Sequence, residues 1–137
     1  MKKRRYQSRR ITIMAVYDMN KMRPDYLTRE YRRKVATGES LTLARLEAKQ
    51  GSVTRPHCHD QEEVIFLLKG SWRFQLPTGA VTLLPNQVLT IPRGVEHSSE
   101  VLEDVVAIDV CTPQRKDWIT GEDRGLHSDQ DESLWAV

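Results

Sequence analysis

The chain has 137 residues, 39% hydrophobic and 29% charged, which is room for one domain with one packed core and excludes wholesale disorder. Its longest unbroken apolar run, Val64-Ile65-Phe66-Leu67-Leu68, falls far short of the about 20 residues a membrane-spanning helix needs. The net charge of +2 hides an asymmetry: residues 1–34 carry 12 Lys and Arg against 3 Asp and Glu, and residues 35–137 carry 9 against 16.

A basic arm over residues 1–34 therefore leads into a body at 35–118 and an acidic tail at 119–137. Lys2, Lys3, Arg4, Arg5, Arg9 and Arg10 are the natural contact for a polyanion, but only Tyr6 interrupts them as an aromatic, so no base-stacking platform is evident. The arm reads as solvated or as covering a partner, and neither a nucleic acid nor a membrane is expected. Ile11–Val16 follows the arm as the apolar part of a signal peptide would, yet Asp18 ends it and no small-residue cleavage site follows. Two cysteines are too few for a disulfide framework. The expected setting is the cytoplasm, with reduced thiols.

In chain order, Pro24–Arg33 is predicted as a short helix ahead of the sheet. Strands are then expected at Lys34–Thr37, Leu41–Ala48, Ser52–His59, Glu63–Lys69, Ser71–Leu76, Ala80–Leu84, Val88–Ile91, His97–Val101 and Val105–Cys111. Turn residues fall between them: Thr37-Gly38, Gly51, Lys69-Gly70-Ser71, Pro77-Thr78-Gly79, Pro85-Asn86 and Pro92-Arg93-Gly94. Gln114–Thr120 is predicted as a second short helix. Gly121–Val137 is expected to be loose, apart from Leu134 and Trp135, which suit a groove or a partner subunit. So many short strands in so small a body predict an all-β jelly-roll barrel, a form that hides its strand edges.

Three of the four histidines fall inside this region. In an extended chain, residues two apart share a face, so His57, His59 and Glu63 point the same way while Cys58 and Glu62 point elsewhere. His97 follows the Pro92-Arg93-Gly94 turn on a later strand. Three imidazoles and a carboxylate make a mixed nitrogen and oxygen site suited to Fe, Mn, Ni, Cu or Zn rather than Ca or Mg. Paired histidines also occur as hydrogen-bonded core residues, so the pair alone does not decide the matter.

The spacing Gly51-x5-His57-x-His59-x3-Glu63-x6-Gly70, followed by Pro92-x-Gly94-x2-His97, resembles the two motifs of the cupin superfamily over residues 38–118. Asn86 stands where the second motif usually opens with glycine, and it is a residue that tolerates the left-handed conformation such a turn needs. Val101 stands where that motif often ends in asparagine. The resemblance implies a double-stranded β-helix, the jelly-roll barrel of cupins, with His57, His59, Glu63 and His97 as ligands of one divalent transition metal, Fe, Mn, Ni or Zn. Four protein ligands leave two octahedral positions open to water, dioxygen or a chelating substrate.

The run Leu102–Trp118, together with Arg33-Lys34-Val35 and Gly38-Glu39 upstream, is similar to the small pectin-degradation cupins of the KdgF type. These help open unsaturated monouronates into linear keto sugar acids. Their usual closing pattern is Asp-x-Phe-x-Pro-x-Arg, and here Cys111 replaces the phenylalanine, while Glu63 stands where a glutamine is common. Carried over, Asp109 becomes the proton-transfer group and Arg115 the carboxylate clamp. Bland alternatives are a structural pair of Asp109 with Arg73 or Arg93, an Arg115 that fixes only the segment after Pro113, and a Cys111 that is simply a small buried hydrophobe.

Three functions follow from this reading: an enzyme acting on a small sugar acid or enol/keto acid, an Fe(II)-type dioxygenase or polyketide cyclase, and a non-enzymatic metal- or small-molecule-binding module. Cupin regulators usually add a helix-turn-helix, for which residues 1–34 are too short and too marked by proline. With Asp109 facing inward, Val106, Ile108 and Val110 form an outer apolar strip, so a homodimer is expected. His127, in the polar tail, is assigned no chemistry.

Overall fold

The computed structural model describes residues 14–128. The basic cluster at Lys2–Arg10, the start of the apolar stretch that follows it, Leu134 and Trp135 lie outside the described residues. Nine strands form one antiparallel sheet system: β1 (Asp25–Thr28), β2 (Tyr31–Thr37), β3 (Thr42–Ala48), β4 (Val53–His57), β5 (Glu62–Leu76), β6 (Gly79–Leu83), β7 (Val88–Ile91), β8 (His97–Thr112) and β9 (His127–Ser128). A helix α1 (Lys116–Thr120) and a 3-10 turn (Glu122–Leu126) separate β8 from β9. Among the described residues no helix is long and apolar enough to cross a membrane.

Two long strands organise the whole. The sequence suggests a break at Lys69-Gly70-Ser71 and another after Val101, yet β5 and β8 run through both places for 15 and 16 residues. Gly70 is the reason for the first. Its φ is +91°, and a Cβ there would lie 2.1 Å from the carbonyl oxygen of Asp104, so only glycine allows β5 and β8 to touch while both bend. The pairing slips at Leu67, Lys69 and Ser71 and then resumes, with Trp72 opposite Val101. Gly70 is thus a bulge residue and not the hairpin turn that its motif position suggests.

Because they bend, β5 and β8 each serve two layers. The second half of β8, from Val105, lies between β3 and the start of β5, which also pairs β7. Its first half lies between β4 and the end of β5, which also pairs β6. The result is the nearly closed jelly-roll barrel expected from the strand pattern. Alternation along β8 sends Val101, Val105, Ala107, Asp109 and Cys111 inward. They join Leu46, Ile65, Leu67, Trp72, Phe74 and Ile91 in the interior, where truncating one buried leucine costs about 2–5 kcal/mol.

The predicted helix over Pro24–Arg33 is not formed. Those residues make β1, a turn in which Glu30 N–H donates to Thr28 Oγ1 at 3.1 Å, and the start of β2. Pairing of Tyr31 with Ala48 and of Arg33 with Leu46 buries both side chains, so the ladder with β3 overrides local preference. The helix predicted after β8 forms at Lys116–Thr120 and ends on Gly121, whose φ is +79°. Within the tail predicted to be loose, Glu122–Leu126 form the 3-10 turn and His127–Ser128 pair with β4, while Leu134 and Trp135 lie outside the described residues. Asn86 does take the left-handed conformation, at φ +69°.

Candidate metal centre

Three chain segments bring the histidines together. His57 ends β4, His59 sits in the loop that follows, and His97 opens β8 directly opposite His57. The ligand-capable ring atoms of the three lie within 4.8 Å of one another. In each case Nδ1–H donates to a main-chain carbonyl two residues away: His57 to Arg55 at 2.7 Å, His59 to Gln61 at 3.0 Å, and His97 to Val95 at 2.9 Å. That bond fixes the tautomer and leaves Nε2 as the free nitrogen of each ring, the arrangement that supports metal-ligating histidines.

Glu63 completes the group. It is buried while Glu62 is exposed, as strand parity requires. Its Oε1 stands 3.2 Å from Nε2 of His59 and 3.3 Å from Nε2 of His97. A carboxylate oxygen facing two nitrogens whose rings already donate through Nδ1 needs either protons or a cation between them. Three imidazole nitrogens and one carboxylate fit a first-row divalent ion.

The electrostatics follow from this packing. Burial works against the Glu63 charge, but hydrogen bonds from His59, His97 and Asp109 outweigh it and hold the carboxyl below its usual range. Burial likewise opposes a charge on His97, yet Glu63 and the Val95 carbonyl raise its pKa above the ordinary imidazole value. His57 is pulled down to about 4, by burial first and then by the neighbouring imidazoles, despite its bond to Arg55.

Asp109 lies beside Glu63, with an acceptor atom in the same 4.8 Å cluster as Glu63 and Cys111. Burial, the Glu63 charge and the hydrogen bond to Glu63 all push its pKa well up, which favours the protonated acid. Its Oδ1 has no hydrogen-bond partner. The structural pair with Arg73 or Arg93 is not formed, since Arg73 binds Glu100 instead. The Cys111 thiol is buried and its pKa is driven upward by that burial and by the two carboxyls, whereas Cys58 is exposed.

Arg115 reaches the same interior. Its backbone N–H donates to Thr42 Oγ1 at 3.0 Å, and its fork holds Asp117 through Nε at 2.8 Å and Nη2 at 2.7 Å. Trp118, Asp123, Leu126 and His127 close this end of the barrel over a cavity of about 40 Å³, lined also by His57, Glu63, His97, Asp109 and Arg115. A roomier groove of about 400 Å³ lies elsewhere, between Tyr26, Arg32, Lys69 and Asp104, and none of the ligand candidates touches it.

Two residues of this closure are given no role at the site by the sequence. Arg33 is 2% exposed and grips both Asp123 oxygens at 2.6 Å, and it also donates to the Trp118 carbonyl. His127, assigned no chemistry, is buried between Thr54 (3.0 Å), Asp123 (3.2 Å) and the Tyr31 ring. The parity of Tyr31, Arg33 and Val35 was the available signal, masked by the basic run Arg32-Arg33-Lys34.

Comparison with known proteins agrees with the fold. Residues 40–106 match the profile of the AraC-like ligand binding domain family. KdgF from Halomonas sp. superposes with a TM-score of 0.71 at 21% identity, over 76% of this chain and 99% of that one. An RmlC-like cupin from Shewanella frigidimarina gives 0.71 at 15% identity, over 77% and 96%. A variant of oxalate decarboxylase from Bacillus subtilis gives 0.64 at 17% identity, over 71% of this chain but 29% of that one. No protein of curated function matches the sequence. By motif, topology and likeness, the chain is a cupin in fold.

Proposed function

We propose that this cupin is a metal-dependent enzyme acting on a small oxygenated acid, a sugar acid or enol/keto acid, by Lewis-acid and acid/base catalysis. The observation that carries the reading is the convergence of three imidazoles, each held by its Nδ1–H, two of them on Glu63, beside the buried Asp109. His57, His59, Glu63 and His97 would hold an Fe, Mn, Ni or Zn ion, which would supply polarisation of a substrate oxygen.

The chain's own groups do the rest. Asp109 carries a proton and has a free Oδ1, so it can give a proton at one oxygen and take one at the other, as conversion between enol and keto forms requires. Arg115 has the planar fork that suits a carboxylate, and Asp117 is the carboxylate that fills it in this structure. Closure by Trp118 and Leu126 keeps bulk water from the reacting atoms. The likeness to KdgF supports uronate ring opening as the specific reaction.

The test is to incubate metal-loaded protein with an unsaturated monouronate, with and without dioxygen. Equal consumption under both conditions, lost in Asp109→Asn, supports the reading. Consumption that needs dioxygen and takes it up would establish the dioxygenase alternative instead. Binding without turnover would favour a small-molecule-binding module, the reading that the AraC-like ligand-binding match supports.

We further propose that the working form is a homodimer. Phe66, Leu68, Leu84 and Val88 are exposed on the outer face, near the half-buried Val106 and Ile108. A monomer in sedimentation well above micromolar concentration would contradict this.

A further inference from the structure

The interior holds two buried guanidinium groups whose acid partners come only from the C-terminal segment. Arg33 on β2 and Arg115 after β8 line the same cavity and stack over one indole, their central carbons 5.2 and 4.9 Å from the Trp118 ring centroid. Asp117 fills the fork of Arg115, and Asp123 fills that of Arg33. The fit around Arg33 is incomplete. Its Nε is buried without a hydrogen-bond partner, and so is Oδ1 of Asp109, a second lining atom of the cavity. A buried donor and a buried acceptor left over in one cavity mark a site shaped for a different occupant.

The segment that supplies both carboxylates is held by side chains more than by strand pairing. It joins the sheet through two residue pairs, Val53 with Ser128 and Thr54 with His127, and its helix has five residues. The long strands β5 and β8 have a far longer ladder between them, so the segment can open while they stay paired.

We propose that Asp123, carried by the segment 116–128, is a built-in occupant of the ligand site that holds the place of one carboxylate of a small organic diacid, the other carboxylate being met by Arg115, and that such a ligand displaces Asp123 from Arg33. The proposal rests on the reading of the barrel interior as the ligand site and sharpens its substrate class from an acid to a diacid. Arg33 is then a specificity residue, and the bidentate geometry it offers Asp123 is the geometry it offers a ligand carboxylate.

The probes are malonate, succinate and glutarate against acetate, titrated into the full-length protein and read by calorimetry and Trp fluorescence. At least one diacid is expected to bind about tenfold or more tightly than acetate, a ratio that Arg33→Met abolishes, because a second charged contact is gained only by the diacid. Asp123→Asn should raise diacid affinity by about tenfold, since the internal competitor loses its charge. Amide exchange of residues 121–128 in the unaltered protein should speed up on diacid binding while β3, β5 and β8 stay protected. This last readout stands even where a variant fails to fold. Diacids no tighter than acetate, or exchange at 121–128 that is unchanged or slowed, would overturn the proposal while leaving an interior acid site intact. No binding of any carboxylate, acetate included, would overturn both.

Discussion

The backbone N–H of Gly94 donates to the carbonyl oxygen of His59 at 2.9 Å, so the turn that delivers His97 also anchors the loop that presents His59. Gly94 has φ +72°, and a Cβ there would meet nothing within 4 Å. The cost of a side chain is therefore purely one of backbone conformation. Gly94→Ala is expected to lose about 1–2 kcal/mol of stability and to weaken metal binding, while Gly94→Asn is milder in both. Denaturant unfolding and metal titration on the two variants check this.

Parity separates two adjacent glutamates. Glu63→Ala and His59→Ala should each lower metal affinity by about 100-fold or more, beyond the 10–100-fold typical of a residue that only supports a ligand. Glu62→Ala should leave it unchanged, because Glu62 faces solvent opposite Thr112. Elemental analysis of protein purified without added metal is the measurement. If Glu62→Ala empties the site and Glu63→Ala does not, the assignment is wrong.

Metal uptake should depend on pH through His97 rather than His57. Ligation needs neutral imidazoles, and the His97 proton is held above the ordinary imidazole range by Glu63 and the Val95 carbonyl, against the effect of burial, whereas His57 is neutral down to about 4. Affinity should rise with pH and level off above the raised His97 value, falling about tenfold per unit below it. Glu63→Gln removes the anion that retains the proton, so the midpoint should move to lower pH even as affinity drops. A midpoint that does not move would disconnect Glu63 from the titration.

Acid should loosen the C-terminal segment before the barrel. Burial disfavours the Asp123 charge, but Arg33 and His127 more than offset this and depress its pKa. A depressed carboxylate stabilises the fold above its unfolded value of about 4, and that contribution is lost as pH falls through the folded value. Asp123→Asn should remove it at neutral pH, at a cost of about 3–5 kcal/mol for leaving Arg33 buried without its partner. Unfolding midpoints from neutral pH downward, compared for the two proteins, should converge in acid.

Much of this was legible in the residues. Strand alternation placed Glu63 inward, the family resemblance placed Asp109 in the pocket, and the spacing of His57, His59 and His97 brought three imidazoles together inside a jelly roll. What escaped depended on long-range pairing. Residues 24–33 look helical in isolation and become strand only because β3 offers a ladder. Arg33 sits in a basic run that hides its inward parity. Its partner Asp123 is 90 residues away, and no local pattern announces a buried ion pair at such separation. Lys69-Gly70-Ser71 reads as a turn because a glycine at a bulge and a glycine at a hairpin leave the same mark.

His97 and Cys111 lie at opposite ends of a single continuous strand, and Glu63 and Phe74 on another that runs beside it. Neither layer of the barrel can come apart without unzipping the rods it shares with its neighbour. Assembly of the imidazole cluster must therefore wait for contacts between remote parts of the chain, and partly folded forms should have no grip on the ion. Once formed, the cluster is braced from both sides, so motion needed for ligand entry falls to the short terminal strap and spares the scaffold.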